Sequence, residues 1–243
     1  MAVVALYSVK GGVGKTTLAA NLAWCSATIS CRRTLLWDLD AGGGSAFLLG
    51  VEPNRRDRAS DVFDGQREPA ELISATGFED LHVLPADESI RALDAQFAGI
   101  GKRKRLAKLT GKLARDYERI VLDCPPVLNE ISAQVMRAAD VIIVPLPPSP
   151  LSSRAFDTVV TAVRSIGKGH PPILPVLSMV DLRRNLHRET CAANRGWPVI
   201  PMASVVEQCA IRREPVGAFA PKSPAAGAFA RLWTAIERKL AKR

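Results

Sequence analysis

Short apolar runs recur along the chain, and most close on Gly, Asp, Ser or Pro. "AVVALYS", "RTLLWDLD", "EDLHVLPA", "RIVLDCPP", "DVIIVPLPPSP" and "PILPVLSMVD" are near-continuous rather than alternating, as in strands of a parallel sheet buried on both faces. Between them, "TTLAANLAWCSA", "RKRLAKLTGKLARDY", "EISAQVMRAA" and "SSRAFDTVVTAVRSI" space their apolar positions as helices do. Strand and helix in alternation predict a doubly wound α/β fold: a mostly parallel sheet with helices on both faces, in a single domain over residues 1–243. No linker or internal repeat is seen. The stretch "GVEPNRRDRASDVFDGQREP" is the least regular and is expected to be a surface excursion. Prolines at 145–150 and 171–175 fall at strand boundaries, where a missing N–H is tolerated. In the final "AFARLWTAIERKLAKR", Phe229, Leu232, Trp233, Ile236 and Leu240 form one apolar stripe with basic neighbours. Such a helix can pack on the sheet or lie on anionic lipid, and core packing is the favoured expectation.

Composition narrows the class. With 243 residues, 47% hydrophobic and 23% charged, the chain has the make-up of a soluble globular domain. No apolar run reaches the roughly 18 residues of a membrane helix. The opening "MAVVALYSVK" has neither basic leader nor cleavage site and is expected to be a first strand rather than a secretory signal. The five cysteines, Cys25, Cys31, Cys124, Cys191 and Cys209, form no CxxC pair and read as thiols of a reducing cytoplasm.

The net charge of +9, from 33 basic and 24 acidic residues, favours an anionic partner: nucleic acid, anionic lipid or nucleotide. The basic residues are grouped. One set is Lys102, Arg103, Lys104, Arg105, Lys108, Lys112 and Arg115, on a helix whose Leu106, Leu109 and Leu113 face the core. Others are Arg183, Arg184, His187 and Arg188; Arg212 and Arg213; and Arg238, Lys239, Lys242 and Arg243 in the tail.

The chemistry concentrates at "SVKGGVGKTT", residues 8–17. A phosphate-binding loop reads Gly, four residues, then Gly-Lys-Ser/Thr. Gly14, Lys15 and Thr16 fit, but Val9 stands at the first glycine position and Lys10 is added beside it. The loop joins the first strand to the first helix, beyond the carboxyl end of the sheet, where open α/β folds bind ligands. Gly11, Gly12 and Gly14 let backbone amides approach phosphate, and the helix N-terminus points free amides at the same anion. Lys15 would reach the β- and γ-phosphates, and the Thr16 hydroxyl would bind Mg²⁺. Alternation puts Asp38 and Asp40 on the same side at the end of the second strand. Asp123 closes the apolar run of Ile120 to Leu122.

The string from Lys10 to Thr17 resembles the deviant Walker A motif of the ParA/MinD family of P-loop ATPases. The resemblance implies an ATP site built from Gly11, Gly12, Val13, Gly14, Lys15, Thr16 and Thr17, with Mg²⁺ as second cofactor. It implies that Lys10 acts in trans, reaching the phosphates of the partner subunit in a nucleotide-sandwiched homodimer. Asp40 resembles the residue that places the attacking water, so the implied catalytic set is Lys10, Lys15 and Asp40. Asp123 matches the Walker B position, and the implied metal set is Thr16, Asp38 and Asp123. Ala41, Gly42, Gly43 and Gly44 replace the family's usual Pro-Gln-Gly tail and suggest a mobile switch segment. Ser178 stands where the family often has an adenine-reading Asn, and Pro201 where an Ile-Pro stretch packs on the base. Cys124-Pro125-Pro126 also resembles the family. The iron–sulfur cluster of the nitrogenase iron protein would need a second nearby cysteine, and none is expected here.

The resemblance covers nearly the whole chain and is strongest at 8–17, 38–40 and 119–126. ParA-type members bind DNA without sequence preference through basic residues of the C-terminal half, which makes Arg183, Arg184, Arg188, Arg212 and Arg213 the implied DNA contacts. Val205 stands where an arginine is common. The implied protein is a cytoplasmic ATPase that pairs on ATP, holds nonspecific double-stranded DNA, and is reset when a cargo or adaptor protein stimulates hydrolysis. Such a switch positions a plasmid, a chromosome region or a protein cargo. Two other classes stay open: a membrane-surface ATPase of the MinD type, and an accessory ATPase of an envelope or cellulose secretion system with no DNA step.

Overall fold

Residues 1–54, 56–93, 104–167 and 169–242 are described by a computed structural model. Lys102, Arg103 and Arg243 of the basic groups lie outside the described residues.

The predicted apolar runs become strands β1 (Ala2–Leu6), β2 (Thr34–Asp38), β4 (Leu81–Leu84), β5 (Arg119–Asp123), β6 (Val141–Leu146) and β7 (Ile173–Val180). Two shorter ones, β3 (Ser74–Ala75) and β8 (Val199–Pro201), complete an eight-stranded sheet in the order β3-β4-β2-β5-β1-β6-β7-β8. All neighbouring pairs are parallel except β3–β4. The helices are α1 (Lys15–Ile29), α2 (Gly44–Leu48), α3 (Ser60–Asp64), α4 (Pro69–Leu72), α5 (Arg105–Leu113), α6 (Glu130–Ala138), α7 (Pro150–Arg164), α8 (Asn185–Ala193), α9 (Ser204–Arg212), α10 (Val216–Phe219) and α11 (Pro224–Leu240).

Alternation along β1 divides the core in two. Val3, Ala5 and Tyr7 face a layer containing Leu106, Leu109 and Leu113 of α5, Val135 of α6 and Val159 of α7. Val4 and Leu6 face the opposite layer, built from α1 and α11. The doubly wound arrangement follows, because a strand buried on both faces needs a helix layer on each.

The terminal stripe is core. Phe229, Leu232, Trp233 and Ile236 are buried, and Leu240 packs against the same cluster. Trp233 Nε1 donates to Ser30 Oγ at 2.8 Å, and Arg119 at the start of β5 grips Glu237 through Nε and Nη2 at 2.7 and 2.8 Å. No helix among the described residues is long and apolar enough to cross a membrane.

The stretch expected as a surface excursion is partly interior. Ala59, Val62 and Phe63 are buried around α3, and the Phe63 ring lies 5.7 Å from that of Trp37. Three apolar residues in one helical turn suffice to anchor it, although the polar residues around them mask the pattern.

Candidate nucleotide-binding site

The loop after β1 ends on Gly14, which caps α1 with φ of 87°. Gly12 is also left-handed, at φ 68°. A side chain would be strained at both positions. A Cβ at Gly11 or Gly12 would meet no heavy atom within 4 Å, so the backbone there is open to an approaching anion. Lys15, the first residue of α1, is buried. Burial lowers its pKa, and the nearby carboxylates of Asp123 and Asp40 oppose that shift.

Parallel register sets Asp38 beside Asp123, both fully buried. Both oxygens of Asp38 are engaged: Oδ1 accepts from the Asp40 N–H and Oδ2 from the Ser45 N–H, each at 2.9 Å. Asp123 Oδ2 accepts from the Ser45 hydroxyl at 2.9 Å, whereas its Oδ1 is buried with no hydrogen-bond partner. An orphaned carboxylate oxygen in the interior is costly, and a cation satisfies it. Burial raises the Asp123 pKa to about 6, against the pull of the Thr16 and Ser45 hydroxyls and the Lys15 ammonium. Burial, then the charge of Asp123, pushes Asp38 well above the usual carboxylate range. A hard divalent cation with oxygen ligands fits this donor set; Asp123 and Thr16 would hold it, with Asp38 holding the surrounding backbone. Such an ion would supply positive charge to bound phosphates.

Asp40 lies just past β2, partly exposed, with Oδ1 accepting from Gly42 N–H at 3.1 Å. The glycines behind it meet stereochemical needs. Gly43 caps α2 at φ 63°, and a Cβ at Gly44 would come within 3.0 Å of Thr16 Cγ2. The segment therefore lies directly against Thr16.

Ser178 is buried and its hydroxyl donates to the Val13 carbonyl at 3.1 Å, joining the end of β7 to the phosphate loop. Pro201 ends β8, half-buried. Lys10 turns toward α7 of its own chain, its Nζ 3.5 Å from Ser149 Oγ and 3.4 Å from Ser152 Oγ.

The arginines named from the sequence fall into different settings. Arg183 forms two 2.9 Å contacts with Asp181, and Arg188 donates to the Leu182 and Arg183 carbonyls and to Asn185. Arg184 is exposed, and the Arg212 guanidinium lies 4.8 Å from the centre of the Phe219 ring. Arg213 is turned inward to Glu52, Phe47 and Val51. His187, grouped with the basic residues by sequence, is buried, and its Nδ1 accepts from the Asp181 N–H at 3.0 Å.

Two site residues escaped the sequence reading. Ser45 bridges the two buried aspartates, and its only signal is a hydroxyl closing the glycine run. Tyr7 is buried, its hydroxyl donating to the Val127 carbonyl at 2.9 Å, so the root of the phosphate loop is tied to the loop after Asp123. Burial raises that phenol to about 12. Its signal is an aromatic with a polar tip ending the first apolar run.

A glycine loop capping a helix, a buried lysine and a carboxylate with a free oxygen define a P-loop nucleotide site on a doubly wound sheet. A family model described as an AAA domain matches residues 1–175, and the chain belongs to the ParA/MinD family of P-loop ATPases. It is 30% identical over 196 residues to the chromosome partitioning protein ParA of Caulobacter vibrioides, covering 77% of this chain and 73% of that one. To ParA of Myxococcus xanthus it is 27% identical over 254 residues, covering 99% and 88%. Cobyrinic acid a,c-diamide synthase from Mycobacterium smegmatis, solved with an ATP analog and magnesium, matches at TM-score 0.80 and 26% identity, covering 98% and 95%. An ATP complex of Cyanothece McdA matches at TM-score 0.85 and 17% identity over 99% and 96%, a likeness of fold alone.

Proposed function

We propose that this ATPase is a ParA-like positioning switch: ATP with Mg²⁺ draws two copies into a face-to-face pair, the pair holds nonspecific double-stranded DNA, and hydrolysis releases it. The observation that carries the reading is the phosphate loop with its added Lys10, beside a buried carboxylate whose free oxygen suits the ion. Residues 11–17 cradle the phosphates, Lys15 neutralises them, and Thr16 and Asp123 hold Mg²⁺ with Asp38 in support. Asp40 places the attacking water, and Lys10 crosses to the partner's nucleotide, where a second cation offsets the charge of the transferring phosphoryl group. Ser178 and Pro201 border the base. The surplus of positive charge supplies the DNA contacts, by phosphate neutralisation and counterion release, with exposed Arg184 and Arg212 the freest of the five candidate arginines. A cargo or adaptor protein stimulates turnover, and the protein works in the cytoplasm on the nucleoid. Burial of the terminal apolar stripe counts against a MinD-type lipid anchor.

The deciding experiment is an electrophoretic shift with nonspecific duplex, in ATP, ADP or no nucleotide, across a salt series. Retention only with ATP, weakening steeply with salt, supports the reading. No retention at any salt with ATP rejects the DNA step, and an accessory ATPase acting on a protein partner takes its place.

A further inference from the structure

We infer that Arg213 is a positioning residue for ATP hydrolysis: it clamps α2 to the end of α9, and so fixes the backbone that carries Ser45 to Asp38 and Asp123. The inference rests on the reading of Thr16 and Asp123 as the ion site.

Arg213 caps α9 in the left-handed region, at φ 57° and ψ 41°. Glycine is the ordinary residue there, and a side chain costs on the order of 1 kcal/mol. The arginine side chain offsets that cost through contacts to a segment more than 160 residues away in sequence. Its Nε donates to the Phe47 carbonyl at 3.1 Å and Nη2 to the Val51 carbonyl at 3.4 Å. Nη2 also pairs with Glu52 Oε1 at 2.7 Å, and the guanidinium lies 4.8 Å from the Phe47 ring centre. Phe47 belongs to the last turn of α2; its carbonyl also accepts from the Gly50 N–H at 3.1 Å, and the C-terminal end of a helix favours a cation.

A helix of five residues cannot hold itself together and takes its place from outside contacts. At its first turn those contacts are the ion site. Ser45 N–H meets Asp38, the Ser45 hydroxyl meets Asp123, and Gly44 lies against Thr16. Ala46, Leu48 and Leu49 are buried in the core, and on the outer side of the last turn and just beyond the contact is Arg213. Releasing the arginine loosens the outer side of α2, where Phe47 is exposed, and that play reaches Ser45 on Asp123 and Gly44 on Thr16.

The test uses Arg213→Gly, Arg213→Lys and Glu52→Gln in the full chain, without DNA. Glycine accepts the left-handed cap, so Arg213→Gly is expected to fold with a Tm within about 4 °C of the parent. Hydrolysis is measured as a function of ATP and Mg²⁺, and amide hydrogen exchange over residues 44–51. Arg213→Gly is expected to lower kcat about 10-fold or more, as misplaced catalytic groups do, to raise the Mg²⁺ needed for half-maximal rate, and to speed exchange in α2. Arg213→Lys and Glu52→Gln should move all three in the same direction by less. Parental kcat, Mg²⁺ requirement and exchange in Arg213→Gly overturn the inference; if that variant does not fold, the same result in Arg213→Lys and Glu52→Gln does so. Loss of DNA retention alone, with hydrolysis intact, makes Arg213 a phosphate contact and also overturns it. Thr16→Ala separates the underlying reading: an unchanged Mg²⁺ requirement there removes the ion site itself.

Discussion

The Lys10 ammonium rests 3.4 Å from the Ser152 hydroxyl, at the N-terminus of α7, and forms no ion pair among the described residues. The positive end of a helix dipole disfavours a cation by about 0.3–1 kcal/mol, and neutral hydroxyls hold it only weakly. A side chain so placed leaves readily for an anion. Lys10→Gln is therefore expected to bind ATP near-normally as a single chain but to lose nucleotide-dependent pairing, with hydrolysis down about 100-fold or more. Sedimentation velocity with a non-hydrolysable analogue checks the first part, and phosphate release the second. Undiminished pairing would remove Lys10 from the interface.

Asp123 gives the site a pH dependence. Its pKa is raised to about 6 by burial. For a raised acid, the stabilising protonated form is present below the unfolded value and is lost as pH rises through about 6. A cation competes with that proton. Apparent Mg²⁺ affinity in the hydrolysis assay should rise between pH 5 and pH 7, by roughly 10-fold per pH unit below the pKa, and level off above it. Asp123→Asn should flatten the profile.

Packing behind α1 is tight enough to forbid a methyl group. A Cβ at Gly217 of α10 would lie 2.1 Å from the Trp24 ring. Gly217→Ala is expected to cost about 1–3 kcal/mol, read as a lower urea midpoint with an unchanged m-value. Equal midpoints would mean that α10 is free to shift away.

The grip of Arg119 on Glu237 anchors the terminal helix to β5, with the two side chains 13% and 22% exposed. Replacing Glu237 with Gln leaves a half-buried guanidinium with a weaker acceptor. A loss of about 1–3 kcal/mol in chemical unfolding is expected, with no change in lipid sedimentation. New binding to anionic vesicles in that variant would show that α11 can leave the core for a membrane surface.

Much of this was legible in the chain. Six strands announce themselves as near-continuous apolar runs because most of their side chains are covered on both faces, and the string from Lys10 to Thr17 leaves little freedom in the loop it forms. Strands β3 and β8, of two and three residues, are too short to show a period. Ser45 acts across a turn on two aspartates from different strands, a meeting that only the sheet register creates. Arg213 looked like surface charge because its left-handed cap, which turns it back toward Phe47, leaves no trace in hydropathy. His187 groups with the basic residues by type, while its burial and its role as acceptor depend on the fold around Asp181.

The two borders of the sheet have a colloidal consequence. One ends on the two-residue antiparallel β3, the other on the three-residue β8, whose final Pro201 has no amide hydrogen to give. Among the described residues, neither terminal strand is itself long enough to offer an extended ladder on which another copy could dock sideways. Short rims of this kind disfavour the edge-to-edge growth that seeds fibres when molecules crowd together.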